Sequence, residues 1–401
     1  MTDMIAALLT RPPRHEYDES ELGPDRFCMD GKLYRRENIV LENRRGHKLQ
    51  CSHYYEEVTS EEEGFVRVSS PCVVYLHSLC GSRLEADEVV EGLLDKGLSL
   101  FSLDFSGSGK SEGESVSLGF YEAQDLEAVL EHLQDDPLTT SVGFWGRSVG
   151  AVVAVTVAGS SSFRNRIGGL VLDSPYSSLR EMIDDLAEFY IPKVPLIPYE
   201  MVVDATVNAL RDDVKRRACY DLLDIDARAA APQCACPALF AHSLDDFLVP
   251  IKHSKRLVES YGASAQLVEL RGDHISARDL KFLDHAYAFL STHLAAAPPL
   301  IDKEARDQRL KEREKAREDE AKRREEEKEA APLTPLHPPP HTPLHPPPGA
   351  PVEPTPERVR RESSARRNQP GEEHLQWFQD ASDNAQKLFV DITSVWPWQA
   401  S

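Results

Sequence analysis

The chain lacks any apolar stretch long enough to cross a membrane as a helix. Its longest apolar run, Gly150 to Gly159, is about half of the roughly 20 residues that such a helix needs. The N-terminus also lacks the basic region and cleavage site of a secretion signal, and Asp3 interrupts its short apolar stretch. We therefore predict no transmembrane segment and no secretion signal, and we expect a cytoplasmic protein.

Basic residues are too few to balance the acidic ones. The 401 residues include 46 Lys and Arg against 67 Asp and Glu, which gives a formal net charge of -21. A chain with this charge repels a phosphate backbone and an anionic membrane surface. We therefore predict no nucleic-acid binding.

The cysteines lack the even number and regular spacing of a disulfide framework. Seven are scattered through the chain, which is typical of an intracellular protein with free thiols. Cys234 and Cys236 are close in sequence, but no nearby residues complete a four-ligand zinc set. We predict no metal and no organic cofactor.

The composition changes near Ala295 and divides the chain into four parts. Residues 1–295 contain the apolar patterns of a folded domain, and residues 296–330 alternate acidic and basic side chains as in a solvated helical spacer. Residues 331–370 are predicted to be a disordered Pro-rich linker, in which Thr-Pro-Leu-His-Pro-Pro-Pro begins at Thr334 and again at Thr342.

The last part, residues 371–401, is a short aromatic segment. It fits either an amphipathic helix that docks onto something or a disordered tail. The Pro-rich and aromatic segments are candidate sites for a protein partner. The apolar residues of the last segment are Trp377, Phe378, Leu388, Phe389, Val390, Trp396 and Trp398.

Strand and helix patterns alternate within residues 1–295. Two alternating segments flank Asn43-Arg44-Arg45-Gly46 and predict a hairpin. Further strands are predicted at Cys72–His77, Leu98–Phe105, Ser141–Trp145, Ile167–Asp173, Pro237–His242 and Ala265–Leu270. Helices are predicted at Glu85–Asp95, Phe120–Leu133, Ser148–Ala158, His253–Tyr261 and Leu280–Leu294. This order predicts an α/β fold, with a mostly parallel sheet covered by helices on both faces.

One segment, at about 176–232, interrupts the alternation. Its helical pieces are punctuated by Pro192, Pro195 and Pro198. It follows one predicted strand and precedes the next. We interpret it as a small helical insertion over the C-terminal edge of the sheet.

The strongest chemical motif is Gly146-Arg147-Ser148-Val149-Gly150. It lies directly between a predicted strand and a predicted helix. A nucleophile on such a sharp turn leaves no room for neighbouring β-carbons, which explains the two glycines. The pattern predicts Ser148 as a nucleophile.

A serine nucleophile needs a histidine base and a carboxylate that orients the histidine. His274 follows the predicted strand that ends at Leu270, where such a base belongs. Asp245 and Asp246 follow the strand that ends at His242, and the spacing to Val249-Pro250 favours Asp246 without excluding Asp245.

The oxyanion of an acyl-transfer reaction needs hydrogen-bond donors. The backbone N–H of Val149, directly after Ser148, is the first candidate. The N–H of Leu79, in the loop after the first central strand, is the second.

One motif resembles a phosphate-binding loop but departs from it. Ser108-Gly109-Lys110-Ser111 has the end of such a loop, yet Asp104 stands where the pattern requires glycine. We predict no nucleotide binding. Asp104, Gly107 and Gly109 are instead interpreted as a turn at the rim of the active-site face.

Taken together, the motifs resemble the α/β-hydrolase superfamily, in particular its serine aminopeptidase-like and ABHD-type acyl-hydrolase branch. The opening Arg11-Pro12-Pro13-Arg14, with Tyr17 and Leu49 to Tyr54, resembles uncharacterised plant and protist members of that branch. The motifs are His77 to Ser82, Asp104 to Ser111, Gly146 to Gly150, Asp246 with Val249-Pro250, and Gly272 to His274. The resemblance implies an eight-stranded sheet and a Ser148-Asp246-His274 triad. The chain departs from the branch at His77-Ser78 and His242-Ser243, where His-Gly is usual.

These observations predict a serine hydrolase that cleaves an ester, thioester or amide bond through an acyl-enzyme. A lipid or an acylated protein is the preferred substrate. Two alternatives remain open: a serine aminopeptidase-like peptidase, and a catalytically idle hydrolase fold that acts as a scaffold through its C-terminal tail.

Overall fold

The structure, a computed structural model, describes residues 2–60, 64–190, 198–302, 304–312 and 315. Residues 304–312 are helical, and about half of the predicted charged spacer lies outside the described residues. The predicted Pro-rich linker and aromatic segment lie wholly outside them. The four-part division of the chain therefore stays a prediction.

Within the described residues, one sheet of ten strands forms the centre of the fold. Its order is β1-β2-β3-β6-β5-β7-β8-β9-β10, and β4 pairs with β3 beside this path. The strands are β1 (Arg26–Met29), β2 (Lys32–Glu42), β3 (Lys48–Ser60), β4 (Gly64–Arg67), β5 (Ser70–Leu76), β6 (Ser99–Leu103), β7 (Thr139–Arg147), β8 (Ile167–Asp173), β9 (Ala238–Ser243) and β10 (Ala265–Leu270). Strands β5 to β10 pair in parallel, whereas β1 to β4 pair antiparallel.

The predicted mostly parallel sheet is confirmed, but the expected number of eight strands was too small. The two additional strands, β1 and β4, have four residues each. They extend the antiparallel side of the sheet, away from the parallel strands that carry the chemical motifs. Strands this short give almost no alternation to detect.

Helices cover both faces of the sheet. They are α1 (Thr2–Thr10), α2 (Asp87–Asp95), α3 (Phe120–Asp135), α4 (Val149–Ala158), α5 (Leu179–Tyr190), α6 (Tyr199–Ala218), α7 (Ala227–Ala230), α8 (Lys252–Ser260) and α9 (Leu280–Ala295). Apolar side chains of α2 and α9 pack in one core cluster, and those of α3, α4 and α8 pack in the other. Successive residues of β5 alternate between the two, since Val73 belongs to one cluster and Val74 to the other. No helix in the described ranges has both the length and the apolar character that crossing a membrane requires.

Between β8 and β9, the described residues contain α5, α6 and α7. The N-terminal helix α1, which the sequence did not predict, packs against α6. Ala6 on α1 is fully buried, and the carbonyl of Thr10 accepts a hydrogen bond from the N–H of Val116. The N-terminus therefore joins the helical insertion to the chain segment before α3.

Candidate active site

Ser148 lies on a strained turn between β7 and α4. Its backbone has φ 52° and ψ -114°, a region that costs a residue with a β-carbon about 1–3 kcal/mol. The turn is held because the N–H of Ser148 donates to the carbonyl of Asp173, 2.7 Å away. A β-carbon on Gly150 would overlap the carbonyl oxygen of Leu76, and one on Gly146 would overlap that of Gly150. Both glycines of the motif are therefore required by close backbone packing.

The loops after β9 and β10 bring an aspartate and a histidine to this serine. The Nε2 atom of His274 is 3.0 Å from the Oγ atom of Ser148, and its Nδ1 atom is 2.7 Å from the Oδ2 atom of Asp246. The exposed fractions of Ser148, Asp246 and His274 are only 6%, 6% and 7%. The three residues predicted from separate motifs thus form one hydrogen-bonded chain.

Of the two adjacent aspartates, Asp246 contacts the histidine, whereas Asp245 is exposed. The second carboxylate oxygen of Asp246 accepts the backbone N–H groups of Leu248 and Val249, at 3.1 and 2.8 Å. Burial raises the pKa of Asp246, but the hydrogen bonds of His242 and His274 outweigh it and lower the pKa below its ordinary value. The carboxylate is therefore held in its charged form.

His242 is a neighbour of the site to which the sequence analysis assigned no role. It is fully buried at the end of β9, and its Nε2 atom lies 2.6 Å from the carbonyl oxygen of Val249 and 3.5 Å from Oδ2 of Asp246. Its Nδ1 atom lies 2.7 Å from Oγ of Ser254 on α8. The sequence gives no signal for this contact, because His242 belongs to an apolar strand pattern.

The predicted oxyanion donors come from two separate segments. Val149 is the first residue of α4, and Leu79 lies in the loop after β5. This loop starts directly against the turn, since a β-carbon on Gly150 would also approach the carbonyl of His77. In the part of the chain that the structure describes, the N–H of Leu79 donates to no backbone carbonyl. The oxyanion roles of Val149 and Leu79 stay predictions.

Ser78, which stands where the branch usually has glycine, is held by Glu85. Its hydroxyl donates to Oε2 of Glu85 at 2.8 Å, and its N–H lies 3.2 Å from the same oxygen. The carboxylate also accepts the hydroxyl of Tyr75. The serine therefore adds a side-chain anchor to the loop that carries Leu79.

The segment that resembles a phosphate-binding loop is a tight turn, as predicted. Gly107 and Gly109 have φ values of 82° and 46°. The carboxylate of Asp104 accepts the backbone N–H groups of Arg83 and Lys110, at 2.6 and 2.8 Å. Asp104 thus closes the turn with its own side chain.

The described residues contain no group of three or more His, Cys, Asp or Glu side chains arranged to hold a metal ion. Cys234 and Cys236 are both buried, and burial raises their thiol pKa values to about 12 and about 11. These two cysteines are therefore protonated at neutral pH.

Comparison with known families matches residues 69–272, just over half of the chain, to the family described as "Serine aminopeptidase, S33". The chain belongs to this family. The match begins before β5 and ends two residues before His274, so that it includes the turn at Ser148 and the loop of Asp246.

Curated relatives are distant and longer than the matched part. The uncharacterized protein YqkD of Bacillus subtilis is 27% identical over 50% of this chain and 64% of its own length. Human protein ABHD12B is 24% identical over 49% of this chain and 51% of its own length. The lysophosphatidylserine lipase ABHD12 of Xenopus tropicalis is 22% identical over 68% and 65%. The chain thus spans about half to two thirds of these relatives.

Solved structures support the fold. An esterase of Pyrococcus furiosus aligns with a TM-score of 0.51 and 19% identity, covering 71% of this chain and 98% of its own. Acetyl xylan esterase 1 of Thermoanaerobacterium aligns with a TM-score of 0.50 and 14% identity, covering 73% and 92%. The protein is therefore a hydrolase-family member with the α/β-hydrolase fold.

Proposed function

We propose that the protein is a serine hydrolase that cleaves a carboxylic ester, thioester or amide bond through an acyl-enzyme. One observation carries the proposal: His274 lies between Ser148 and Asp246, with hydrogen-bond distances of 3.0 and 2.7 Å on its two ring nitrogens. This is the geometry that a serine needs to lose its proton as it attacks a carbonyl.

The reaction follows from the role of each group. Ser148 Oγ attacks the carbonyl carbon while His274 takes the hydroxyl proton, and Asp246 stabilises the imidazolium that forms. The N–H groups of Val149 and Leu79 donate to the oxyanion. The tetrahedral intermediate collapses, and His274 gives its proton to the leaving oxygen, sulfur or nitrogen. Water then repeats the sequence, releasing the acid and restoring Ser148.

An acyl ester with an apolar chain is the preferred substrate. The insertion is compatible with it, since Met182, Ile183 and Leu186 on α5 are apolar and stay partly exposed. Of the other apolar residues in this part of the sequence, Ile191 and Leu196 lie outside the described residues. The Xenopus relative is a lysophosphatidylserine lipase, which also supports a lipid or acylated substrate.

A fluorophosphonate probe tests the proposal, since it reacts with activated serines. Labelling is expected for the wild type and should vanish in Ser148→Ala and His274→Ala. The matched controls Ser162→Ala and His285→Ala change exposed residues and should label like the wild type. A folded wild type that does not label, or a Ser148→Ala variant that does, would contradict the serine mechanism.

The same preparation separates the alternatives. A peptidase would cleave aminoacyl amides and leave p-nitrophenyl acyl esters intact, whereas the proposed hydrolase cleaves the esters. An idle scaffold would do neither.

Binding of a protein partner by the tail is a separate proposal, and unchanged partner recovery after deletion of residues 302–401 would contradict it. Cytoplasmic localisation stays a prediction, to be checked by imaging the full chain.

A further inference from the structure

Arg278 lies four residues after His274, and the proposed reaction does not use it. Its guanidinium forms a two-point ion pair with Asp173 at the end of β8, with Nε 2.7 Å from Oδ2 and Nη2 2.8 Å from Oδ1. Both side chains are only 2% exposed. A buried ion pair is often no more stabilising than well-packed apolar residues. Stability alone therefore does not explain this ion pair. The other contacts of Arg278 indicate which segments it holds in place.

The remaining N–H donors of Arg278 contact the loop after β10, which carries His274, and the end of β9, which precedes Asp246. Nη2 lies 3.3 Å from the carbonyl oxygen of His274, and Nη1 lies 3.0 Å from that of Ser276. Nη1 also donates to the hydroxyl of Ser243, 2.9 Å away. Ser243 ends β9, three residues before Asp246. One side chain thus contacts the segments that carry both the base and the acid.

Asp173 connects the same ion pair to the nucleophile. Its backbone carbonyl accepts the N–H of Ser148 at 2.7 Å, while its carboxylate binds Arg278. Arg147, the residue before the nucleophile, donates to the carbonyl of Ser276 at 3.0 Å and has its Nε 3.9 Å from the Asp173 carboxylate. Arg147, Arg278 and Asp173 therefore connect the turn at Ser148 with the segments that follow β9 and β10.

We propose that Arg278, paired with Asp173, is a positioning residue that sets the place of His274 between Ser148 and Asp246. The inference rests on the proposed serine mechanism. Arginine suits the role because its planar guanidinium presents five donors in a fixed fork, which lysine, a single flexible point charge, does not replace. Without the fork, the carbonyls of His274 and Ser276 keep only their contacts with Arg147, and the imidazole loses its fixed distance from Ser148.

The test measures the rate of fluorophosphonate labelling per folded molecule, with the folded fraction taken from circular dichroism. Arg278→Lys is expected to label about tenfold more slowly than the wild type, and Arg278→Ala about 100-fold, because a displacement of about 1 Å can cost about 10²-fold in rate. The matched control is Arg271→Ala, which removes an exposed arginine from the same loop. It should label at the wild-type rate.

Chemical rescue separates positioning from simple stabilisation. Millimolar methylguanidinium should raise the labelling rate of Arg278→Ala at least fivefold and leave His274→Ala unlabelled, whereas methylammonium should have no effect. Equal rates per folded molecule in wild type, Arg278→Lys and Arg278→Ala would overturn the inference. So would a methylguanidinium effect on melting temperature without any on labelling. In both cases a labelled wild type leaves the proposed function intact, whereas an unlabelled wild type overturns that function and this inference with it.

Discussion

The described part of the chain contains two Ser-His-Asp clusters, and one of them has the surroundings of a nucleophile. In the second, the Oγ atom of Ser177 is 2.7 Å from Nδ1 of His253, and Nε2 of His253 is 3.0 Å from Oδ2 of Asp185. These distances are close to those around His274. Residue types and spacings alone would not distinguish the two clusters.

The difference lies in the backbone and in the other partners of each serine. Ser177 has no left-handed backbone angle, and its N–H lies 3.2 Å from Nδ1 of His253, so this nitrogen already accepts a backbone donor. The hydroxyl of Ser177 also bonds Glu181. Burial, the largest influence, lowers the pKa of His253 despite its acidic neighbours Asp185 and Glu181. The hydroxyl of Ser177 is thus held by Glu181 and His253, and Nε2 of His253 and Oδ2 of Asp185 form no hydrogen bond despite their short distance. Ser148, in contrast, lies on a strained turn at the start of a helix.

Replacing the aspartate of each cluster by asparagine should give the largest difference between the two clusters. Asp246→Asn is expected to lower ester hydrolysis by about 10⁴-fold, because the amide favours the wrong imidazole tautomer. Asp185→Asn weakens contacts to Lys252 and His253, so it should cost about 1–3 kcal/mol of stability and leave the rate per folded molecule within threefold. Turnover of p-nitrophenyl butyrate and urea unfolding measure the two effects. A drop of less than tenfold in Asp246→Asn would remove the distinction.

Backbone packing provides the second contrast, between two glycines. Gly150→Ala should destabilise the fold by about 3 kcal/mol and reduce labelling, because its β-carbon overlaps a backbone carbonyl of β5. Gly169→Ala on β8 is the matched control, since its β-carbon would meet its nearest neighbour at an ordinary 3.5 Å. It should cost less than about 1 kcal/mol. Urea unfolding curves of the two variants measure these effects. Equal losses in the free energy of unfolding would contradict the close backbone packing at Gly150.

The pH dependence of stability should show the smallest effect and report on the Ser177 cluster. The folded-state pKa of His253 is lowered, so the unfolded chain binds the proton first as pH falls below about 6.5. The contribution of this histidine to the free energy of unfolding is therefore fully present above this pH. It decreases below it, by at most about 1.4 kcal/mol per pH unit for each such histidine. His53, also lowered by burial, contributes in the same direction.

His253→Gln should make the acid loss of stability shallower, whereas His285→Gln, at an exposed position, should leave it unchanged. Urea unfolding at pH 8, 6.5 and 5.5 measures both slopes. A His253→Gln slope equal to that of the wild type would show that the histidine is not held neutral by burial.

The sequence was most informative where chemistry depends on local geometry. The turn at Ser148 could be predicted because its two glycines, strand and helix are contiguous, and His274 and Asp246 because each directly follows a strand. The family match and the parallel sheet bear out the predicted fold. The roles of these residues remain proposals for the experiments above.

Contacts between distant segments could not be predicted. Arg278 and Asp173 are separated by 105 residues. In the sequence, Asp173 by itself indicates only the polar end of an apolar strand. Helix α1 escaped detection because its nine residues are few and include Asp3. The Ser177 cluster has no motif at all, since its members come from a loop and two helices that meet only in the folded chain.

Mapping the fluorophosphonate adduct by mass spectrometry tests the central claim most directly. The wild-type protein is labelled, digested and searched for the modified serine. The account predicts an adduct on Ser148 and none on Ser177. An adduct on Ser177 or on any serine other than Ser148, or a folded protein with no adduct, would contradict it.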